Sequence, residues 1–280
     1  MYESLRLFYS DKFSLYWLCL DKETYNTVVK IPYIKPFFVN NFWKSKQYGS
    51  EFEKAINNPP CAYGNRWSQF CWTMTPWFIW YLLHNKFAKE LFYVDSDIYF
   101  YHSPDLIVKE CSGYTVGLHT HRFPTFDIAK DNIGEYNVGV VFFRNNELGL
   151  KIATQWKEWM LNPDNEYRPL YGQCGDQGYL SLFRSLFGAE NIRVFDDKLG
   201  YLFPWPGNMG EHLEHGYVMY NGEKQPIVFG HFAHFTPDFE NDKWSHSLHG
   251  EWASIRDDKV LKYYENYFQM MKQVKKTFNL

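Results

Sequence analysis

The chain has 280 residues, of which 45% are hydrophobic and 21% aromatic, enough apolar material for one sizeable core. Its formal net charge is −3 and its pI is about 6.4, so it has no global basic field that would favour nucleic acid as a partner. The five cysteines are scattered without a CxxC spacing, which predicts neither a disulfide framework nor a structural zinc site. No run of about 18 uncharged apolar residues occurs, and the charged start is not typical of a secretory signal, so we expect a cytoplasmic protein.

Apolar runs and helical periodicity predict the following elements in chain order. Buried strands are expected at 13–20, 91–95 with an extended continuation at 98–101, 114–118, 136–143, 192–195 and 227–231. Helices are expected at 66–86 with a kink or a break at Pro76, 147–161, 176–187 and 258–278. The polar stretch from 21 to about 65 predicts irregular structure. Alternating strands and helices predict an α/β fold with a mostly parallel sheet covered on both faces, in a single domain over 1–280.

Two carboxylates follow the predicted strand 91–95. Asp95 and Asp97 are spaced i, i+2 at its carboxyl end, the edge at which ligands bind in open α/β sheets. Two acids held together among aromatic residues repel each other unless a cation lies between them. Oxygen ligands suit Mg²⁺ or Mn²⁺. The pattern therefore predicts a divalent-metal site, and an exposed surface turn is the alternative.

A later strand end carries two histidines, His231 and His234. An imidazole would complete the coordination of a Mn²⁺-like ion, which accepts nitrogen more readily than Mg²⁺ does. Their i, i+3 spacing on an extended segment points the rings to opposite sides, so we expect only His231 to be a ligand. Either ring could instead be a hydrogen-bonded core residue.

Two short motifs lie between the acidic pair and the histidines. In the predicted strand 136–143, Gly139 permits a close backbone approach and Asn137 offers both a donor and an acceptor. At the start of the predicted helix 176–187, Asp176 is a natural N-cap, and capping alone would explain it.

A further polar group follows the predicted strand 114–118. It consists of His119, His121 and Arg122. These side chains could meet an anionic or polyhydroxy substrate. A solvated loop is the alternative.

The motifs, taken in order, resemble bacterial glycosyltransferases of the GT-A fold, most closely the family-8-like group often found with surface-polysaccharide genes. Their order and spacing over about residues 1–237 carry the resemblance. They are Asp95-Ser96-Asp97, His121-Arg122-Phe123-Pro124, Tyr136-Asn137-Val138-Gly139, Phe143-Arg144-Asn145, Gly175-Asp176-Gln177 and Pro204-Trp205. The resemblance implies a Rossmann-like nucleotide-diphosphosugar domain, a divalent cation that is commonly Mn²⁺, and a UDP-sugar donor.

The resemblance also assigns roles by position, to metal ligands, to contacts with the donor sugar and to the reacting face. The metal ligands would be Asp95, Asp97 and His231, the donor-binding residues Asn137, Gly139, His121 and Arg122, and the catalytic residues Asp176 and Gln177.

Two features depart from the family pattern. The family opens with a strand and an Asn-Tyr-containing turn that form part of the base and ribose pocket, ahead of a helix similar to residues 2–9. That first nucleotide-binding strand has no counterpart in the sequence. The family's Lys-Pro-Trp after the late histidine is replaced by Thr236-Pro237-Asp238, which leaves Lys243 as a weak candidate for a contact to the β-phosphate.

We therefore expect a metal-dependent glycosyltransferase that transfers a sugar from a UDP-sugar to a saccharide or glycolipid acceptor in surface polysaccharide synthesis. The resemblance favours retention at the anomeric carbon, with inversion as the alternative. A catalytically impaired nucleotide-sugar-binding module would also fit the motifs, as would a metal-dependent nucleotide-sugar pyrophosphatase or nucleotidyltransferase. Lysines of the C-terminal helix, within 256–280, could bring the protein to the inner membrane face, and a solvated helix face is the alternative.

Overall fold

The computed structural model describes residues 1–10, 12–57, 65–121, 134–162, 164–168, 175–195, 211–213, 216–246 and 258–279. These residues form a mixed α/β fold. The α-helices are α1 (Tyr2–Tyr9), α2 (Lys22–Val28), α3 (Val39–Trp43), α4 (Gly49–Asn57), α5 (Arg66–His84), α6 (Asp105–Glu110), α7 (Glu147–Leu161), α8 (Phe183–Phe187) and α9 (Asp258–Phe278). The strands are β1 (Leu15–Cys19), β2 (Ile34–Phe38), β3 (Glu90–Val94), β4 (Ile98–Phe100), β5 (Val116–Thr120), β6 (Tyr136–Arg144), β7 (Ile192–Val194), β8 (Glu211–Leu213), β9 (Tyr217–Tyr220), β10 (Glu223–Pro226), β11 (Phe229–His231), β12 (Phe235–Asp238) and β13 (Lys243–His246).

The largest described sheet has four strands in the order β3-β6-β5-β7. Strand β6 is antiparallel to both of its neighbours, β3 and β5, and β5 is parallel to β7. Three strands therefore share one direction and β6 opposes them. The prediction of a mostly parallel sheet is therefore confirmed for this sheet, in which β6 is the one antiparallel strand.

Strand β6 separates two apolar layers, because its side chains alternate between the two faces of the sheet. Val141 and Phe143 join a core that includes Ile79 of α5 and Trp156 of α7. On the other face, Val140 and Phe142 pack with residues of α6, β4 and β11. Helices cover both faces, as the sequence predicted.

The segment predicted to be irregular, from 21 to about 65, is ordered over most of its length and forms α2, β2, α3 and α4. Asp21 caps α2 by accepting a hydrogen bond from the backbone N–H of Thr24 at 2.7 Å. Glu51 of α4 accepts hydrogen bonds from Trp77 Nε1 at 2.7 Å and from Lys157 Nζ at 2.6 Å. The prediction was wrong because short capped helices with polar outer faces show little periodicity.

Helix α5 runs unbroken from Arg66 to His84 with Pro76 in its interior. Asn65 caps it by accepting a hydrogen bond from the backbone N–H of Ser68 at 2.9 Å. Its buried residues supply much of the core on both sides of its axis. Neither α5 nor any other described helix is long and apolar enough to cross a membrane. The expected helix is confirmed, without the break proposed at Pro76.

A cavity of about 930 Å³ separates β1 from β3. It is lined by consecutive residues of each, 13–18 and 90–96, and by one side of α5. Among the described strands, β1 pairs only with β2, and β3 pairs only with β6. The edges that β1 and β3 turn towards the cavity are therefore unpaired.

Candidate metal centre

The acidic pair lies in the turn that connects β3 to β4. Strand β3 ends at Val94, and the backbone N–H of Asp95 donates to the carbonyl oxygen of Gly139 on β6 at 2.9 Å. The N–H of Ile98 then bonds the Asp95 carbonyl at 3.2 Å and closes the turn. Both carboxylates are thereby held just beyond the end of β3, as the sequence predicted, although this strand is half-buried and not buried.

A neighbouring two-stranded pairing brings in the histidine. Strand β11 is antiparallel to β4, with His231 opposite Ile98. The N–H of Phe232 donates to the carbonyl oxygen of Asp97 at 3.0 Å, which ties the two segments together next to the acidic turn. Residues far apart in the chain thus meet because β4 and β11 share one short ladder.

Asp95, Asp97 and His231 form a group that could hold a metal ion, with one ligand atom from each lying within 4.8 Å of the others. The Nε2 atom of His231 lies 3.7 Å from Asp95 Oδ2 and 3.4 Å from Asp97 Oδ1. Ligands about 2.1 Å from one ion are separated by about 3 to 4 Å, so these distances suit ligands that share an ion. Two carboxylate oxygens and one imidazole nitrogen suit Mn²⁺ better than they suit Mg²⁺.

The three groups perturb one another's pKa values. Burial raises the pKa of Asp95; the charge of His231 opposes that rise and the charge of Asp97 adds to it. Burial would also raise the pKa of Asp97, but its hydrogen bond with His231 and the charge of that ring lower it. Burial would lower the pKa of His231, yet the pairing with Asp97 and the charge of Asp95 raise it. A bound divalent cation would replace the proton of His231 as the positive charge that balances the two carboxylates.

A second layer of residues holds the histidine. Asn137 Oδ1 accepts from the backbone N–H of Gly139 at 2.8 Å and lies 3.1 Å from His231 Nδ1. Asn137 Nδ2 lies 3.1 Å from Nε2 of His121, whose Nδ1 lies 3.1 Å from the carbonyl oxygen of Gly134. The structure thus places Asn137, Gly139 and His121 beside the metal group, and their predicted contact with the donor sugar stays a prediction.

Two residues that the sequence did not single out support Asp95. The hydroxyl of Tyr93 donates to Asp95 Oδ1 at 2.6 Å and accepts from Thr75 Oγ1 of α5 at 3.2 Å. Tyr93 stands two residues before Asp95 on a strand, so their side chains share a face. That spacing was the available signal, whereas nothing local pointed to Thr75.

Asp176 lies behind the acidic turn. Its Oδ1 accepts from the backbone N–H of Gln177 at 3.0 Å, so it caps a helix as predicted, although the expected helix 176–187 is a 3-10 helix (Gln177–Leu182) followed by α8. Burial and then the charge of Asp95 raise its pKa to about 8, and Thr75 contacts it. Its Oδ2 is buried with no hydrogen-bond partner among the described residues.

The remaining predicted residues have different positions. Gln177 is half-buried and contacts the ring of His121. His119 is 1% exposed and packs against Phe229 in the core, which agrees with a structural role. His234 is exposed with a φ of 62° and is not part of the metal group, in which His231 is the histidine. Arg122 and Pro204-Trp205 lie outside the described residues, as do two of the five cysteines, Cys61 and Cys174.

Comparisons with known proteins found two relatives in Bacillus subtilis (strain 168) and several similar solved structures, one of which is described below. Uncharacterized protein YfnF is 27% identical over 253 residues, covering 83% of this chain and 77% of that protein. Uncharacterized protein YfnD is 25% identical over 234 residues, covering 81% and 70%. The apo form of mouse xyloside xylosyltransferase 1 covers 82% of this chain and 91% of its own at 14% identity, with a TM-score of 0.46. No family model matches the chain. Both relatives are themselves uncharacterized, so they carry no function over to this protein.

Proposed function

We propose that the protein is a metal-dependent glycosyltransferase of the GT-A type that uses a nucleotide-diphosphosugar donor. The observation that supports it is the group of Asp95, Asp97 and His231, whose ligand atoms lie within 4.8 Å of one another beside the ends of β3 and β11. When bound there, a divalent cation would stabilise the charge that builds on the leaving diphosphate as the bond to the anomeric carbon breaks.

The exposure of the three ligands suits a substrate-binding metal site. The side chain of His231 is 7% exposed, whereas those of Asp95 and Asp97 are 26% and 38% exposed. The protein therefore closes the imidazole side and leaves the carboxylate side accessible. Catalytic metal sites keep such an open position for substrate, whereas structural sites are closed on all sides.

We propose a retaining reaction, which the resemblance carried by the order of the motifs favours. An inverting enzyme would need a base beside the acceptor hydroxyl. Asp176 and Gln177 would contact the donor at the reacting face.

The finer assignments rest on the order of the motifs. We propose Mn²⁺ as the ion, a UDP-sugar as the donor, a saccharide or glycolipid as the acceptor, and surface polysaccharide synthesis at the cytoplasmic side of the membrane as the setting. Peripheral membrane contact would use lysines on the exposed side of α9, among them Lys262, Lys275 and Lys276.

A titration with Mn²⁺ tests the metal centre. We expect wild-type protein to bind Mn²⁺ and Asp97→Asn to lose binding, because the ion loses one of two anionic ligands. Turnover with the active donor should fall by about 10² to 10³. Asp164→Asn, an exposed carboxylate outside the site, is the matched control and should behave as wild type. Near-wild-type binding and transfer by Asp97→Asn would contradict the assignment.

A donor screen tests the reaction class. UDP- and GDP-sugars are incubated with the protein in Mn²⁺ and in EDTA, and the nucleotide product is identified. Metal-dependent release of a nucleoside diphosphate supports a glycosyltransferase, whereas release of a nucleoside monophosphate indicates a pyrophosphatase. Mn²⁺-dependent binding of UDP without turnover indicates a binding module. NMR of the anomeric proton in the product then distinguishes retention from inversion.

A further inference from the structure

The ring of His231 has a neighbour on each nitrogen. Nε2 faces Asp95 and Asp97 at 3.7 and 3.4 Å, and Nδ1 lies 3.1 Å from Oδ1 of Asn137. A neutral imidazole binds a metal through the nitrogen that carries no hydrogen, and the bond made by the other nitrogen sets which one that is. The position of one hydrogen therefore decides whether His231 presents a lone pair to the carboxylates or a hydrogen.

A backbone group fixes the orientation of the Asn137 amide. The N–H of Gly139 lies 2.8 Å from the Oδ1 atom. A backbone N–H can only donate, so the amide atom at this position must be the oxygen. Because an amide oxygen can only accept, Nδ1 of His231 must carry the hydrogen. Its Nε2 lone pair then points between the carboxylates, as a metal ligand requires.

A second backbone group fixes the other end of the chain of hydrogen bonds. The amide nitrogen of Asn137 lies 3.1 Å from Nε2 of His121, and Nδ1 of that ring lies 3.1 Å from the carbonyl oxygen of Gly134. A carbonyl only accepts, so Nδ1 of His121 carries its hydrogen and Nε2 accepts from the amide. The N–H of Gly139 and the carbonyl of Gly134 therefore lead to the same assignment: Asn137 donates to His121 through its amide nitrogen and accepts from His231 through its amide oxygen.

We propose that His121 and Asn137 are positioning residues that hold His231 in the tautomer able to bind a divalent cation, and so set the metal affinity of the site. The inference rests on the metal centre proposed above. His121 acts through Asn137 and does not touch the ligand atoms. Since Gln177 also contacts the ring of His121, these hydrogen bonds end beside the residue proposed for the reacting face.

The first test compares two substitutions of His121. His121→Phe keeps a ring in the buried site but removes the acceptor for Asn137, so the amide nitrogen loses its partner and only the N–H of Gly139 still holds the amide that orients His231. We expect the dissociation constant for Mn²⁺ to rise about 10- to 100-fold, the usual effect of losing such a partner. His121→Gln keeps an acceptor oxygen near the place of Nε2 and should change it by less than about threefold. Wild-type affinity in folded His121→Phe would overturn the proposal.

A second measurement needs no substitution among the hydrogen-bonded positioning residues. In metal-free wild-type protein, at a pH above the titration of the His231 ring, long-range ¹H–¹⁵N spectra report which ring nitrogen carries the hydrogen. His231→Gln assigns the signal. We expect the hydrogen on Nδ1; a hydrogen on Nε2 would overturn the proposal even if His121→Phe does not fold. Absence of Mn²⁺ binding by wild type would instead count against the metal centre, which separates the two failures.

Discussion

The two carboxylates of the acidic turn have pKa shifts of opposite sign, although they stand two residues apart. The pKa of Asp95 is raised, chiefly by burial, and its carboxylate is held by Tyr93. The pKa of Asp97 is lowered because its contact with His231 outweighs its own burial. In the metal-free protein, therefore, Asp97 is the main counter-charge of the imidazolium and Asp95 is the more readily protonated acid.

Asp176 gives a pH-dependent prediction at the scale of one residue. Burial raises its pKa from 3.8 to about 8. Between these values the unfolded chain is ionised while the folded protein keeps the proton, so stability falls as pH rises through this window, by up to about 1.4 kcal/mol per unit. Asp176→Asn keeps an oxygen that can accept from the backbone N–H of Gln177 and has no carboxyl proton to titrate. Relative to the variant, wild type should therefore lose about 2 to 3 kcal/mol between about pH 6 and pH 8.

Urea denaturation of both proteins in EDTA at several pH values measures this difference. EDTA matters because a cation beside Asp95 would favour the ionised form of Asp176. Parallel stability curves for wild type and Asp176→Asn would contradict the raised pKa. Outside the window, below about pH 4, the two curves should run parallel.

At the scale of elements, the strands and helices with continuous apolar runs were predictable. Strands β3 and β6 and helices α5, α7 and α9 lie where the sequence places them, because each carries a continuous apolar run or apolar residues at helical spacing. The direction of β6 was not predictable, since alternation along a strand is the same in both directions. Helix α2 was missed, although Asp21 three residues before Thr24 was a usable N-cap signal.

The metal group itself was predictable, whereas its support was not. Asp95 and Asp97 follow a recognisable strand, and His231 ends another. The bonds of Asn137 to His231 and to His121 depend on how β6 lies between its neighbours. Without knowledge of the direction of β6, the sequence gives no reason to place Asn137 between His231 and His121.

Gly139 on β6 gives a prediction at the same scale. A Cβ atom at this position would lie 2.5 Å from His231 Nδ1 and 2.8 Å from Asn137 Oδ1, closer than real contacts allow. Gly139→Ala should push the ring away from the carboxylates and weaken Mn²⁺ binding about 10- to 100-fold, as loss of an orienting contact does. It should also cost about 1 to 3 kcal/mol of stability through overpacking.

Gly117 of β5 is the matched control. A Cβ there would lie 2.5 Å from Cys111 Sγ and 2.6 Å from a ring carbon of Phe195, so Gly117→Ala should destabilise the protein by a similar amount. It does not touch the metal group, and its Mn²⁺ affinity should equal that of wild type. Equal effects of both substitutions on Mn²⁺ affinity would show that general destabilisation, not the displaced ring, is responsible.

At the scale of the whole molecule, the cavity lies between two groups of strands that share no ladder of backbone hydrogen bonds among the described residues. Strands β1 and β2 form a parallel pair whose only described ladder is with each other, while β6 is flanked on both sides. Side chains of β1 and β2, such as Leu18 and Phe37, pack on the α5 core. The N-terminal pair is thus held to the rest by side-chain packing. Isolated two-stranded units are marginally stable at best.

This division predicts unequal hydrogen exchange. Amides of β1 and β2 should exchange through local openings that cost less than global unfolding, because no backbone hydrogen bond joins them to β3 within the described ranges. Amides of β6 should exchange only on global unfolding. Native-state exchange followed by mass spectrometry in low urea measures both. Equal protection of the two regions would contradict the prediction.

The same cavity predicts the order in which regions of the protein should unfold in urea. Asp95, Asp97 and His231 are carried by the ends of β3 and β11 and by the turn between β3 and β4, all on the far side of the gap from β1 and β2. Opening of the N-terminal pair leaves those anchors in place. As urea is added, Mn²⁺ should therefore stay bound after β1 and β2 have begun to exchange, and the metal should be released only when the four-stranded sheet or the pairing of β4 with β11 comes apart.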